Sequence, residues 1–264
     1  MQSGFVERDG CRLHYVVSGR NHAPPLLLLH PLGASLDVWA PQLPQLEPHF
    51  RVIRCDLRGH GKSELDLAPP SPRSMADFAA DVLAVLDATR APRAHWCGLS
   101  LGGQIAMWAA LHYAARVRRL VLANTAAHLP PASLWEDRIA TVLSAGMGPL
   151  AEAVPARWFT AGFREREPAT VARIVEMLRG TTPRGYADAC GALRDTDLRE
   201  AIAGIALPTL VIAGAQDPST PVEQAELLIE RIAGSDLLVL DAAHLSNVEQ
   251  PEDFSAAVID FLRD

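Results

Sequence analysis

The chain has 264 residues, a formal net charge of −7, hydrophobic side chains at 49% of positions and 4 cysteines. That suits one sizeable α/β domain with material left for an insertion; the acidic balance argues against nucleic acid as a partner, and the lack of a continuous apolar run of roughly 18 residues argues against a membrane span. Residues 1–12 carry acids and no apolar stretch, as expected of a cytoplasmic chain without a signal peptide, and the scattered Cys11, Cys55, Cys97 and Cys190 read as reduced thiols without metal-like spacing.

Residues 4–8 and 13–17 flank Asp9-Gly10, the pair a tight hairpin turn favours, and predict an N-terminal hairpin. An apolar strand over 25–29 follows, then a helix over 36–46, a strand over 51–55 and the loop Asp56-Leu57-Arg58-Gly59-His60-Gly61-Lys62-Ser63. That loop lacks the glycine spacing of a phosphate-binding loop and reads as structural support. A helix over 74–89 leads into a strand ending in Gly98-Leu99-Ser100-Leu101-Gly102, with an apolar helical pattern over 105–111 behind it. Gly-x-Ser-x-Gly between a strand and a helix predicts a sharp elbow, in which glycines fit where side chains would collide and Ser100 stands exposed at a helix N-terminus. Ser100 is the expected nucleophile.

The next strand, Leu120-Val121-Leu122-Ala123, ends at Asn124, which cannot ionise. Between Asn124 and Arg194 only helical patterns appear, over 133–143, 149–159, 168–178 and 185–193. Helices inserted between consecutive strands must lie on top of the sheet. The expected fold is therefore α/β, a mostly parallel eight-stranded sheet with helices on both faces, its core formed by residues 1–125 and 196–264 and a helical cap by 126–195. Residues 126–195 hold 8 Arg and 8 Asp or Glu, so the core carries the net negative charge, and a counter-charge for an anionic substrate would have to come from the cap. Trp135 and Arg138 share a helix face and could hold a carboxylate against an aromatic wall. The residues alone favour a tryptophan packed against the core beside an arginine that is solvated or paired with an acid of the cap. Trp158 and Phe159 read as cap core.

A β-branched run over 207–213 breaks at Gly214 and delivers Asp217; a second buried strand, over 236–244, ends in His244, and a helix over 251–262 closes the chain. Ser100, Asp217 and His244 thus fall in order at three strand ends, as nucleophile, orienting carboxylate and general base. Asp241 reads as a strand-end residue, and His30 and His60 as residues that shape loops. The oxyanion hole is assigned to the backbone N–H groups of Leu101 and Leu32. In His30-Pro31-Leu32-Gly33 the proline has no N–H to donate, but the required donor belongs to the residue after it.

The elbow, the two strand ends and the Asp-x-Arg-Gly-x-Gly-x-Ser loop together resemble the α/β-hydrolase superfamily over nearly the whole chain. Four narrower stretches are similar to 3-oxoadipate enol-lactone hydrolases of the β-ketoadipate pathway: Asn124-Thr125-Ala126-Ala127, Leu134-Trp135-x-x-Arg138-Ile139, Gly185-Tyr186-x-x-Ala189-Cys190, and Asp241 through Glu249. Pro31 departs from the usual His-Gly. The resemblance implies a serine hydrolase of aromatic-compound catabolism that opens a small anionic lactone, 3-oxoadipate enol-lactone, through an acyl-enzyme, with Trp135 and Arg138 touching substrate and no metal or organic cofactor. A C–C bond hydrolase of a meta-cleavage pathway, a carboxylesterase or perhydrolase, and a non-enzymatic ligand receptor are the alternatives. A haloalkane dehalogenase is excluded, because it needs a carboxylate at position 100.

Overall fold

Asp9 and Gly10 take φ angles of 50° and 71°, the mirror-image turn whose twist matches that of the strands it joins. They connect β1 (Gln2–Arg8) to β2 (Cys11–Gly19). The computed structural model describes residues 1–65 and 73–263. After β3 (Pro25–Leu29), the expected helix over 36–46 is a 3₁₀ stretch, Leu36–Gln42, followed by the single turn α1 (Leu43–Leu46). Pro41 and Pro44 explain the difference, since neither can supply the N–H a continuous α-helix needs. Then come β4 (Arg51–Cys55), α2 (Met75–Ala88), β5 (Ala94–Leu99), α3 (Leu101–His112) and β6 (Val117–Ala123).

Six helices follow before the next strand: α4 (Ala132–Ala145), α5 (Gly148–Ala153), α6 (Pro155–Trp158), α7 (Ala161–Arg166), α8 (Pro168–Gly180) and α9 (Pro183–Asp195). The pattern over 149–159 suggests one helix, but Pro155 divides it into α5 and α6. Helix α7 has no counterpart in the sequence reading. The chain leaves and re-enters the core side by side, with Leu198 N–H donating to the Ala127 carbonyl at 2.9 Å and His128 bridged to Asp197. It ends with β7 (Thr209–Gly214), α10 (Val222–Arg231), β8 (Ser235–Leu240), α11 (Ser246–Glu249) and α12 (Pro251–Arg263).

The eight strands form one sheet in the order β1-β2-β4-β3-β5-β6-β7-β8. β1–β2 and β2–β4 are antiparallel and every other pair is parallel. Every residue of β5 and β7 is buried, so both faces of the central sheet are covered, as parallel sheets require. β8, expected as a buried strand reaching His244, instead ends at Leu240 and is fully buried only there, because it is an edge strand. This is the α/β architecture expected from the sequence. Parallel strands gather the loops at their carboxyl ends on one edge of the sheet. Leu32, Ser100, Asn124, Asp217 and His244 all follow such ends, where open α/β sheets bind ligands. Among the described residues no helix is long and apolar enough to cross a membrane.

Candidate active site

Ser100 stands between β5 and α3 with φ of 55° and ψ of −114°. A positive φ in a residue with a side chain is strained by about 1–3 kcal/mol and persists only where the surroundings over-determine it. Here they do. Ser100 N–H donates to the Ala123 carbonyl at 2.9 Å, and its carbonyl accepts from Gly103 N at 2.9 Å, Gln104 N at 3.1 Å and Thr125 Oγ1 at 2.7 Å. A Cβ at Gly98 would run into the Gly102 backbone, and one at Gly102 into the Leu29 carbonyl. The elbow therefore closes only with glycine at both positions. The Leu101 N–H opens α3, and the first turn of a helix offers donors with no partner inside the helix.

Asp217 and His244 come together at the ends of β7 and β8. His244 Nδ1 lies 2.7 Å from Asp217 Oδ2, which fixes the proton on Nδ1 and leaves Nε2 as the ring's acceptor when neutral. The carboxylate is saturated by four further bonds, from Ser219 N at 2.7 Å and Thr220 N at 3.1 Å to Oδ1, and from Thr220 Oγ1 at 2.6 Å and Asn124 Nδ2 at 3.0 Å to Oδ2. Burial alone would push the Asp217 carboxyl up. The charge of His244 and the hydrogen bonds of His244, Thr220 and Asn124 outweigh it and hold the group down at about 2. Asn124, itself at a φ of 43°, also accepts from Ser246 Oγ at 2.5 Å, so the end of β6 serves the acid with a donor. Asp241 is turned to a different task, accepting from Gln216 Nε2 at 2.8 Å at the surface.

The loop after β3 is held from beneath. His30 Nε2 accepts from Leu57 N–H at 2.9 Å, so its Nδ1 carries the proton and donates to the Pro31 carbonyl at 2.8 Å. Burial lowers the affinity of both His30 and His60 for a proton, His60 to about 3. Two neutral rings 5.3 Å apart tie the loops after β3 and β4 together and place Leu32 at the cavity wall.

A cavity of about 300 Å³ lies above these strand ends. Ser100, His244 and Leu32 line it from the loops after the strands, and Trp135 and Arg138 from α4 and Tyr186 from α9. The Arg138 guanidinium sits 5.0 Å over the Trp135 ring, within cation–π range, while Trp135 Nε1 donates to the Leu129 carbonyl at 2.6 Å. Trp158 is buried as expected but also lines the cavity; Phe159 packs away from it, stacked on Phe163 at 5.2 Å. Arg157 also enters the cavity, its Nε donating to Ser219 Oγ at 3.3 Å. Sequence reasoning missed it, because nothing local distinguishes one inward-pointing arginine from the 8 in residues 126–195. It missed Thr220 and Glu249 as well. Glu249 binds Ala243 N–H at 2.8 Å and Thr160 Oγ1 at 2.6 Å, joining the His244 loop to the inserted helices. Among the described residues no group of three or more His, Cys, Asp or Glu could hold a metal ion.

A family model described as alpha/beta hydrolase fold matches residues 24–251. Among curated proteins, 3-oxoadipate enol-lactonase 2 of Acinetobacter baylyi is 39% identical over 93% of this chain and 91% of its own length. A candidate carbamate hydrolase, RutD, of Variovorax paradoxus is 34% identical over 95% and 96%. Among solved structures, a hydrolase from Pseudomonas aeruginosa PA01 superposes with a TM-score of 0.94 at 46% identity, covering 98% of both chains. The enol-lactonase from Burkholderia xenovorans LB400 superposes with a TM-score of 0.95 at 40% identity, covering 99% of this chain and 100% of its own. The chain belongs to the α/β-hydrolase family.

Proposed function

We propose that this α/β hydrolase opens the ester of a small anionic lactone, 3-oxoadipate enol-lactone, through an acyl-enzyme on Ser100. The observation that carries the reading is a single cavity lined both by Ser100 and His244 and by the Arg138 guanidinium, which is stacked on Trp135 and without a carboxylate partner among the described residues. An arginine in that setting is suited to a ligand carboxylate. The names of the Acinetobacter and Burkholderia relatives supply the lactone.

His244, oriented by Asp217, takes the Ser100 proton as Oγ attacks the lactone carbonyl. The Leu32 and Leu101 N–H groups receive the oxyanion, a contribution of about 3–4 kcal/mol per donor. Collapse breaks the acyl carbon–ring oxygen bond. The expelled enol oxygen stays in the acyl chain and tautomerises to the ketone, and a water activated by His244 releases 3-oxoadipate. Residues 126–195 act as a cap that supplies the anion anchor and excludes water. The steps as written use side chains, backbone donors and water. Carbamate hydrolysis is the second reading, favoured only by the Variovorax relative.

Steady-state turnover of the enol-lactone, of 4-nitrophenyl acetate and of a simple carbamate, in wild type and Arg138→Ala, tests the reading. We expect the lactone to be strongly preferred, with KM raised at least about tenfold by Arg138→Ala and the acetate unaffected by it. Acetate or carbamate cleavage without lactone turnover overturns the substrate and leaves the serine chemistry standing.

A further inference from the structure

Arg138 is not the only cation in the cavity without a counter-ion. Arg157 lies on α6, half-buried, and among the described residues no carboxylate lies within ion-pair distance of either guanidinium. Among the described residues its Nε donates to the Ser219 hydroxyl at 3.3 Å. Burial, and after it the neighbouring Arg138 charge, press against the cationic form of Arg157, and the Asp217 charge offsets them only in part. An anion entering beside the two guanidiniums relieves that cost.

The two arginines stand at different places relative to the chemistry. Arg138 belongs to the Trp135 wall on α4. Arg157 is fastened to the Asp217 and His244 loops: Ser219, its acceptor, donates its own N–H to Asp217, and the carbonyl of the next residue, Trp158, accepts from Leu245 N–H at 3.0 Å. Two residues further on, Thr160 is bound by Glu249, which also holds Ala243. The segment 157–160 is thus tied to both loops that carry the acid and the base.

We propose that Arg157 stabilises the oxygen expelled from the acyl carbon, so that the cavity favours esters with a poor, enol-type leaving group carrying a nearby carboxylate. The proposal rests on the acyl-enzyme reading above and adds a role for this second guanidinium. In the step concerned, the Ser100 Oγ–acyl carbon bond forms and the acyl carbon–oxygen bond breaks. The electron pair goes to the departing oxygen, and the proton taken from Ser100 passes through His244 to it. The leaving oxygen must lie within reach of His244, in the cavity that Arg157 also lines, and it carries most charge before that proton arrives. A carboxylate on the same substrate is left to Arg138, which lines that cavity too.

The test is the leaving-group dependence of kcat/KM, which reports acylation, for 4-nitrophenyl, phenyl and vinyl acetate with wild type, Arg157→Gln and Arg157→Lys. All three esters give the same acetyl-enzyme and differ only in the oxygen expelled. Arg157→Gln is expected to leave 4-nitrophenyl acetate within about threefold while lowering phenyl and vinyl acetate about 30- to 100-fold, with Arg157→Lys recovering part of the loss. Fluorophosphonate labelling of Ser100 at the wild-type rate in Arg157→Gln shows that the nucleophile and base are undisturbed. Equal losses on all three esters, or none, overturn the proposal. Lactone turnover by wild type is read separately. If it is absent while the leaving-group dependence steepens, the lactone reading falls and the role of Arg157 stands; if it is present with parallel dependences, the reverse holds.

Discussion

Ser3 Oγ lies 3.0 Å from His14 Nε2, and His14 Nδ1 lies 2.8 Å from Asp56 Oδ2, so outside the candidate active site the chain contains a serine–histidine–aspartate relay with the connectivity that catalysis would need. What separates it from Ser100 is everything around the three side chains. Ser3 sits exposed on β1 at the margin of the sheet, in extended backbone, outside the residues that line the cavity. Asp56 is occupied with architecture: it accepts from Leu36 N–H at 2.8 Å and Lys62 N–H at 3.0 Å, and although burial would raise its carboxyl, those bonds and His14 hold it low. Ser100 has the strained elbow, a helix N-terminus beside it and an enclosed volume above it. Ser100→Ala is therefore expected to lower kcat by about 10⁴-fold or more at an unchanged melting temperature, while Ser3→Ala stays within about twofold of wild type. Labelling with a fluorophosphonate followed by peptide mass spectrometry should find Ser100 alone. A label on Ser3, or comparable losses in both variants, would show that connectivity counts for more than setting.

At the scale of elements, the elbow and the inserted helices use glycine in opposite ways. Gly102 lies in the first turn of α3 where a Cβ would meet the Leu29 carbonyl, whereas Gly191, inside α9, has nothing within 4 Å of a Cβ. Alanine at 102 must push two packed backbones apart, a cost of about 1–3 kcal/mol or more with displacement of Ser100. At 191 it removes only the entropic penalty of glycine in a helix, a gain of about 0.5–1 kcal/mol. Thermal melts should move in opposite directions for the two variants, with activity lost only at 102; a melting temperature raised by Gly102→Ala would contradict the steric account. The same elements mark how far a sequence can be read. Alternation of strand and helix, Asp9-Gly10 and the order of Ser100, Asp217 and His244 are local signals, and the sheet and its order of strand ends were legible from them. The break at Pro155 was legible too, since a proline six residues into the helical pattern over 149–159 removes a backbone donor. The inward turn of Arg157 and the donors of Thr220 and Asn124 to Asp217 were not, because each depends on the packing of segments far apart in the chain.

The whole molecule divides unevenly between two kinds of burial. β5 and β7 are buried at every position, whereas α4 buries only Trp135 and Val142 of its 14 residues, and α8 only Ile174 and Leu178 of 13. Apolar burial stabilises by about 25 cal/mol per Å², so far less free energy holds each of these helices than holds a central strand. The insertion is seated through α9, which buries seven of its 13 residues, and is fastened at a few polar points besides: Thr182 N–H and Oγ1 both donate to the Gly59 carbonyl at 3.0 Å, Thr160 binds Glu249 at 2.6 Å, and the neck pairs Leu198 with Ala127. Such an arrangement opens locally at a lower cost than the sheet unfolds. Hydrogen exchange followed by mass spectrometry should accordingly show amides of α4 and α8 exchanging well before those of β5, β6 and β7, with the 157–160 segment slower than α8 because it is tied to the His244 loop. Adding a carboxylate ligand that does not turn over should slow exchange in α4 and in 157–160, the two segments that bring Arg138 and Arg157 to the cavity, and leave the sheet unchanged. Uniform protection across insertion and sheet would mean that the two form one cooperative unit, and that the anion's arrival costs the fold nothing to accommodate.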